Sequence, residues 1–532
     1  MDTPKASPRI SRPDLFRPPL HYPRMPYDRM LTEGAARAPE SAALIHRDVS
    51  LTYRELEALT NRFARALARL GVRKGDRVCV LTANCPEYVV AFYAIARVGA
   101  VVSPMNPSYR EREIEYQLND TEAVAIVVHA DLVDLVSAVH PRTRALRHVI
   151  AIGGGTPRGA GVRGFAELIA SESPAPPPPS GAGDDDLVAL PYSSGTTGLP
   201  KGVMLTHRNL VTNNLQFVAA IRLSGQDRLM IFLPFYHIYG AMLMGGAVWA
   251  GATSVLMERF EPTECMRLVE RHRVTLFFAV PPVLLMLSNW PDLKKYDLAS
   301  LRFTMVGAAP VAPELSRRFR ELTGVPVLQG YGMTEASPLT HLNPIYDPDL
   351  IALDSAGLPA HDTEQKVVDL ETGGRVLPPG EVGEICIRGP QIMQGYWKSP
   401  EATAETIRDG WYYSGDIGYV NEHGYVFIQD RKKEMIKYKG LGIAPAEIEA
   451  LLLEHPSIAD AGVIGKPHPE AGEIPKAFVV RKPGHAALTA DEVIAFVKAR
   501  LASYKTPGEV EFLDAIPKTP SGKILRRVLK ER

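Results

Sequence analysis

Tyr192-Ser-Ser-Gly-Thr-Thr-Gly-Leu-Pro-Lys-Gly202 packs three glycines, four small hydroxyl side chains and one lysine into eleven residues. Glycines let backbone N–H groups approach anionic oxygens, hydroxyls donate to them and Lys201 adds charge, so the stretch reads as a polyphosphate loop. It is not the nucleotide loop that needs Gly before Lys and Ser or Thr after it, because Pro200 and Gly202 flank Lys201. A flexible surface linker is the plain alternative. The lysine and the apolar continuation Val203-Met-Leu205 argue against it. The loop follows an apolar segment, residues 187–190, and is expected to lead into a helical stretch.

Outward from the loop, apolar strands alternate with helices. Residues 52–70 form an amphipathic helix: Thr52 and Glu55 make a capping box, Leu56, Leu59, Phe63, Leu67 and Leu70 a stripe, and Gly71 the stop. Strands are expected at 78–81, 123–128, 231–233, 274–280, 302–306 and 326–329, with helices at 88–98, 240–250, 281–288 and 313–323. That alternation implies an α/β fold with doubly wound parallel sheets, whose ligands sit at the carboxyl ends of strands. From about 365, short runs (366–369, 383–388, 425–428) between Gly and Pro turns suggest a β-barrel-like subdomain. A small α+β tail follows, with helices at 445–454 and 491–501 and strands at 460–464, 476–481 and 510–513. The domains are therefore set at 1–429 and 430–532. Residues 1–27 read as a loosely docked, proline-rich arm and 172–186 as an exposed low-complexity loop.

The composition excludes several classes. In 532 residues, 60 Lys+Arg balance 60 Asp+Glu. A sequence-blind nucleic-acid binder would need a basic excess, so no nucleic-acid partner is expected. Apolar residues are 45% and charged residues 23%, an ordinary globular balance. The four cysteines fit neither a zinc template nor a disulfide framework, which suits a reducing, cytoplasmic setting. The N-terminus lacks the apolar core of a secretory signal. Residues 231–257 are uncharged and long enough to span a bilayer, but Pro234, His237 and four glycines favour a buried strand, turn and core helix. No transmembrane segment is expected, and peripheral membrane contact stays open, as does monomer or homodimer.

Seven motifs in order, SSGTTGLPKGV (193–203), LPFYHIYG (233–240), VGAAP (306–310), QGYGMTE (329–335), YYSGDIG (412–418), DRKKEMIKYKG (430–440) and KTPSGKILRR (518–527), make the chain resemble the acyl-adenylate-forming superfamily. The resemblance runs from about residue 27 to the end and is greatest to fatty-acyl-CoA and 4-coumarate-CoA ligases. It implies an AMP-forming acid–CoA ligase. ATP and a carboxylic acid give acyl-AMP and pyrophosphate, and the CoA thiol then displaces AMP. Because an anionic carboxylate must approach an anionic phosphate, the site must supply positive charge and aimed donors.

The roles the resemblance implies are these. Lys523 is the catalytic lysine, bridging carboxylate and α-phosphate, with Thr334 at the α-phosphate and Glu335 on Mg²⁺. Ser193, Ser194, Gly195, Thr196, Thr197, Gly198 and Lys201 cradle phosphates. Gly307, Ala308, Ala309, Gln329, Gly330, Tyr331 and Gly332 wall the adenine, while Asp416 and Arg431 take the ribose. His237 is a gate beside the acyl group, whose pocket includes Tyr239, Leu243, Val306, Gly332 and Ser337, with Lys433 and Lys437 on the substrate side. Arg259, Lys439 and Gly440 serve CoA, and Asp430 is the hinge about which the tail domain turns between half-reactions. Lys432 reads as part of a solvated face. Where relatives commonly read KGFQVAP, this chain has Leu441-Gly442-Ile443 after Lys439-Gly440. ATP, Mg²⁺ and CoA are the implied cofactors.

The arm and the segment PMNPSYREREIEYQLND (104–120) resemble medium- and long-chain fatty-acyl ligases, which makes a fatty acid the expected substrate. FYHIYG and GYGMTEASP are shared with aryl ligases, so a 4-coumarate-type acid is the alternative. A non-catalytic acyl- or AMP-binding sensor is a lesser one, disfavoured because Lys523 and Glu335 are both present.

Overall fold

The computed structural model describes residues 18–154, 159, 161–193, 200–345, 348–432, 434–438, 441–519 and 522–532. These form four sheets. In the first, six neighbouring strands run parallel in the order Val327–Gly332, Phe303–Val306, Leu276–Ala279, Arg228–Ile231, Thr253–Leu256 and Ala42–His46. The second has a parallel run of Leu187–Ala189, Val101–Met105, Arg77–Leu81, Ala125–His129, His148–Ile152 and Val162–Gly164. Away from their outer strands both runs are Val/Ile/Leu-rich and buried, as parallel strands covered on both faces must be. The barrel-like unit consists of a five-stranded antiparallel sheet built on Gly383–Arg388, Trp411–Val420 and Val426–Arg431. The tail has its own sheet, centred on the hairpin Ile458–His468 and Gly472–Arg481, with its own core around Ile448, Leu452, Val463 and Val493.

The helix Tyr53–Arg69 starts where the capping box puts it: Thr52 accepts from the Glu55 N–H, and Glu55 from that of Thr52. The uncharged 231–257 stretch is the end of one strand, a turn, the buried helix Ile238–Ala250 and the buried strand Thr253–Leu256. No helix among the described residues is long and apolar enough to cross a membrane. The four cysteines are free.

Several expectations need correction. The polyphosphate loop does not lead straight into a helix. Strand Lys201–Thr206 comes first, antiparallel to Tyr192–Ser193, and only then helix His207–Ile221. The strand placed at 231–233 lies earlier, at Arg228–Ile231. The arm is not loosely docked over its described part. Tyr22 Oη donates to Asp362 (2.5 Å), and Tyr27 is 1% exposed, stacked on Tyr93 with ring centroids 5.5 Å apart. The 172–186 loop is exposed but pinned: carbonyls of Glu172, Pro174 and Ala175 accept from Arg62, Asn61 and Arg65 of the 53–69 helix.

His207 shows what docking the arm entails. It is fully buried; its Nδ1 accepts the Tyr27 N–H (2.8 Å), and its Nε2 has no partner among the described residues. Burial pushes its pKa down from 6.5 to about 4. The unfolded chain therefore takes up this proton first, so stability is whole above pH 6.5 and falls as pH drops toward 4, by about 3 kcal/mol in all. His207→Asn, whose Oδ1 can accept the same N–H, is expected to flatten the acid limb of a melting-temperature profile. An unchanged limb would show that the imidazole carries none of it.

Candidate active site

Four adjacent parallel strands end on one side of the first sheet, and about a third of the expected site residues lie at or just past those ends. His237 follows Arg228–Ile231, Val280–Pro282 follows Leu276–Ala279, Gly307–Ala309 follows Phe303–Val306, and Gln329–Gly332 closes its own strand. The Gly307 backbone is bare where the Tyr239 ring lies: a Cβ there would stand 3.3 Å from that ring. Ala308 turns with φ +71°. Gln329 props this turn by accepting the Val311 N–H (2.8 Å). A Cβ on Gly330 would meet Met305, and one on Gly332 would lie 2.2 Å from the Pro338 carbonyl, so both positions exclude side chains for packing reasons.

His237 opens the 238–250 helix, and its Nδ1 accepts the Tyr239 N–H (3.2 Å). That bond leaves the ring proton on Nε2. Burial pushes the pKa down to about 4, so the imidazole is a neutral donor near neutrality. Tyr239, Leu243 and Val306 are buried. Ser337 departs from its expected place in an acyl pocket. It is wholly buried at φ +72°, and its hydroxyl donates to the Gln391 carbonyl (2.9 Å), so it shapes the turn.

The base of the 193–201 loop, expected to cradle phosphates, is a hairpin in which Ser193 pairs with Lys201. Ser194, Gly195, Thr196, Thr197 and Gly198 lie outside the described residues. Lys201 is exposed, its ammonium 5.5 Å from the centre of the Tyr396 ring. Tyr396 Oη donates to Glu335 (2.8 Å). Tyr396 thus joins the loop lysine to the carboxylate beside Thr334, a link absent from the sequence reading. Its only local mark is the Gly395-Tyr-Trp-Lys398 turn. Strand pairing of Val203 with Tyr396 places it there.

On the opposite side, Asp416 and Arg431 face each other across neighbouring strands, Nε to Oδ1 2.6 Å, and Tyr331 Oη donates to the other Asp416 oxygen. Asp416 is 3% exposed, and its charge is what chiefly holds the Arg431 pKa up. Lys523 approaches this pair from the tail domain. Its turn is tied by Thr519 N–H to the Lys523 carbonyl (2.8 Å), Gly522 N–H to the Thr519 carbonyl (2.8 Å) and Lys523 N–H to the Thr519 hydroxyl (3.0 Å). Gly522 rests on the large domain: a Cβ there would lie 2.7 Å from Pro282 Cδ. Desolvation and then the nearby Arg431 pull the Lys523 pKa below the usual lysine value, against Glu434 and Asp416. Its ammonium makes no ion pair among the described residues.

Asp430 is buried and accepts the Ala446 N–H (3.0 Å), capping the helix Pro445–Leu453. Just past it, Lys432 is exposed, as expected of a lysine on a solvated face. It pairs with Glu384 of the large domain (2.8 Å), which is nearly buried. Lys437 is exposed on the hairpin strand Ile436–Tyr438, opposite Gly442. A Cβ at Gly442 would meet Met435 Cε at 2.7 Å, so methionine fills the space a longer side chain would take. Arg259 is exposed, with no ion pair among the described residues. Lys433, Lys439 and Gly440 lie outside the described residues.

Residues 31–397 match the AMP-binding enzyme family, and residues 447–523 the AMP-binding enzyme C-terminal domain. Among curated relatives, 4-coumarate–CoA ligase 5 of Oryza sativa subsp. japonica is 42% identical over 493 residues, 91% of this chain and 89% of its own. The solved anthranilate CoA ligase AuaEII in complex with anthranoyl-AMP superposes with TM-score 0.88 at 29% identity, covering 96% of this chain and 97% of that one. MatB from Rhodopseudomonas palustris, at 31% identity over 95% of this chain and 99% of its own, gives 0.88 when ATP-bound and 0.77 when apo. The ordered motifs, the convergent strand ends and these likenesses agree: the chain belongs to the AMP-binding enzyme family, as one of its acid–CoA ligases.

Proposed function

We propose that this ligase activates an aromatic carboxylic acid of the 4-coumarate kind as its acyl-adenylate, with release of pyrophosphate, and passes the acyl group to the CoA thiol. The observation that carries the chemistry is the seated Lys523 turn, which sets a desolvated ammonium beside Asp416 and Arg431. In that arrangement Asp416 takes the ribose diol, Tyr331 and the bare 307–309 turn wall the base, and Lys201 with its loop holds the phosphates. Lys523 lies where carboxylate and α-phosphate must meet, and positive charge there offsets their repulsion. Among the described residues no trio of His, Cys, Asp or Glu could hold a metal unaided. Glu335 with phosphate oxygens and water fits Mg²⁺, which keeps several waters. When bound, the ion would neutralise developing phosphate charge.

The second half-reaction needs another arrangement. Residues 430–532 would turn about Asp430, withdrawing Lys523 and bringing Lys437, Lys439 and Gly440 toward the acyl group, with Arg259 left to meet a CoA phosphate. The higher TM-score to ATP-bound than to apo MatB supports reading the present arrangement as the adenylating one.

An aryl acid takes precedence over the fatty acid first expected. The curated relative cited and others that are 4-coumarate–CoA ligases are 40–43% identical over at least 90% of this chain. A buried Tyr239 ring, packed against the Gly307 backbone with its hydroxyl reaching the Met305 carbonyl (3.5 Å), also offers an aryl substrate an aromatic neighbour. Pyrophosphate release over hydroxycinnamic, benzoic and medium- to long-chain fatty acids, with and without CoA, tests this. The highest kcat/KM is expected on a hydroxycinnamic acid, with thioester formed only when CoA is present. A preference for the fatty acids would reverse the assignment.

A further inference from the structure

Three residues past Lys523, Arg526 opens the helix Arg526–Lys530 and is almost out of solvent, its side chain 11% exposed. Each of its donor groups is used. Nη1 donates to Glu434 Oε2 (2.6 Å), Nη2 to both oxygens of Glu449 (2.8 Å each) and Nε to the Val463 carbonyl (3.1 Å). Glu449 in turn accepts the Val463 N–H (2.7 Å).

The partners come from separate segments. Glu434 sits three residues after Arg431, and its N–H donates to the Arg431 carbonyl (2.9 Å). Glu449 lies on the 445–453 helix, the one capped by Asp430. Val463 belongs to the long hairpin. One guanidinium thus joins the exit of the Lys523 turn to the segment carrying Arg431, to the helix fixed on Asp430 and to the central strands of the tail. Apolar side chains could fill this volume with as much stability, because a buried ion pair rarely gains over its hydrophobic replacement. A forked, fully bonded guanidinium gives something different, a single allowed orientation.

We propose that Arg526, acting through Glu434 and Glu449, is a positioning residue for Lys523. It sets the turn at a fixed offset from Arg431, so that one rotation of the tail delivers the lysine and the ribose-side arginine together. The proposal rests on the adenylation role given to Lys523 above. It predicts an effect confined to the half-reaction that uses Lys523, whereas a purely structural role would touch both.

The test uses the full chain and four variants: Glu434→Gln, which keeps the volume and one acceptor, Arg526→Lys, Lys523→Ala, and Glu434→Gln combined with Lys523→Ala. Adenylation is followed as acid-dependent pyrophosphate exchange, and thioester formation from supplied acyl-adenylate and CoA, with melting temperatures alongside. Glu434→Gln and Arg526→Lys are each expected to slow adenylation about 10-fold or more, the scale of a misplaced reacting group. Thioester formation should be unchanged. The double variant should be no slower than Lys523→Ala alone, because the positioning effect has nothing left to position. Full adenylation in Glu434→Gln, equal slowing of both half-reactions, or additive losses in the double variant would each overturn the proposal while leaving Lys523 its role. Full adenylation in Lys523→Ala would remove that role, and the proposal with it.

Discussion

Lys523→Ala is expected to lower adenylation by about 10²-fold or more, the scale of removing one preorganised donor from a developing anionic centre, while leaving thioester formation from supplied acyl-adenylate intact. The lysine is partly buried, carries a charge with no ion-pair partner among the described residues and faces Arg431 as well as Asp416. Such a group gains little for folding, so the melting temperature should not fall. Its value lies in meeting a carboxylate and a phosphate at once. Because desolvation and Arg431 hold its pKa below the ordinary lysine value, the charged form is lost at lower pH than usual. The alkaline limb of adenylation should therefore come earlier than a free lysine would give, and should vanish in the variant. Pyrophosphate exchange against pH reads both effects. Undiminished exchange in Lys523→Ala would take the α-phosphate role away from this residue.

Local regularities carried far in the sequence, and long-range pairings did not. The Thr52/Glu55 box and the stripe on residues 56–67 are relations three or four residues apart, and the helix appears where they put it. The buried strands before Gly307 and Gln329 are apolar runs bounded by turn residues, so their ends, and hence the side of the sheet that holds a ligand, were legible too. Tyr396 was not. Its hydroxyl reaches Glu335 across 61 residues of chain, and only the pairing of Val203 with Tyr396 brings it near Lys201. Nor was Tyr27, which a proline-rich neighbourhood marks as arm but which His207, 180 residues on, and Tyr93 hold in the core. Lys432 shows a related limit. A run of lysines reads as a wet face, and Lys432 is exposed, but nothing in the run marks the nearly buried carboxylate, Glu384, with which it pairs. Periodicity records which face of an element is apolar; it carries no record of which distant group an isolated polar side chain will meet.

Gly522→Ala should separate closing of the tail domain from the chemistry of Lys523. Two costs fall on this one methyl group. At φ +82° an alanine backbone is strained, by about 1 kcal/mol or somewhat more. The new Cβ would also stand 2.7 Å from Pro282 Cδ and 2.8 Å from its Cγ, ring atoms at the start of the helix Pro281–Asn289 that cannot swing aside. Together these disfavour the seated turn by about 2–3 kcal/mol, which corresponds to about 30- to 150-fold less of the adenylating arrangement. Only the second cost involves the large domain. Pro282→Ala removes the offending ring carbons, so Gly522→Ala/Pro282→Ala should recover the steric share and keep the backbone share, a coupling that a double-variant cycle isolates. Adenylation should follow that order, while thioester formation from supplied acyl-adenylate should not, because that step needs the turn elsewhere. Equal loss in both half-reactions would mean that the methyl group spoils the turn itself. Full adenylation in Gly522→Ala would mean that the contact with Pro282 is not part of the arrangement in which acyl-adenylate forms, and that the ammonium reaches the phosphate by another approach of the tail.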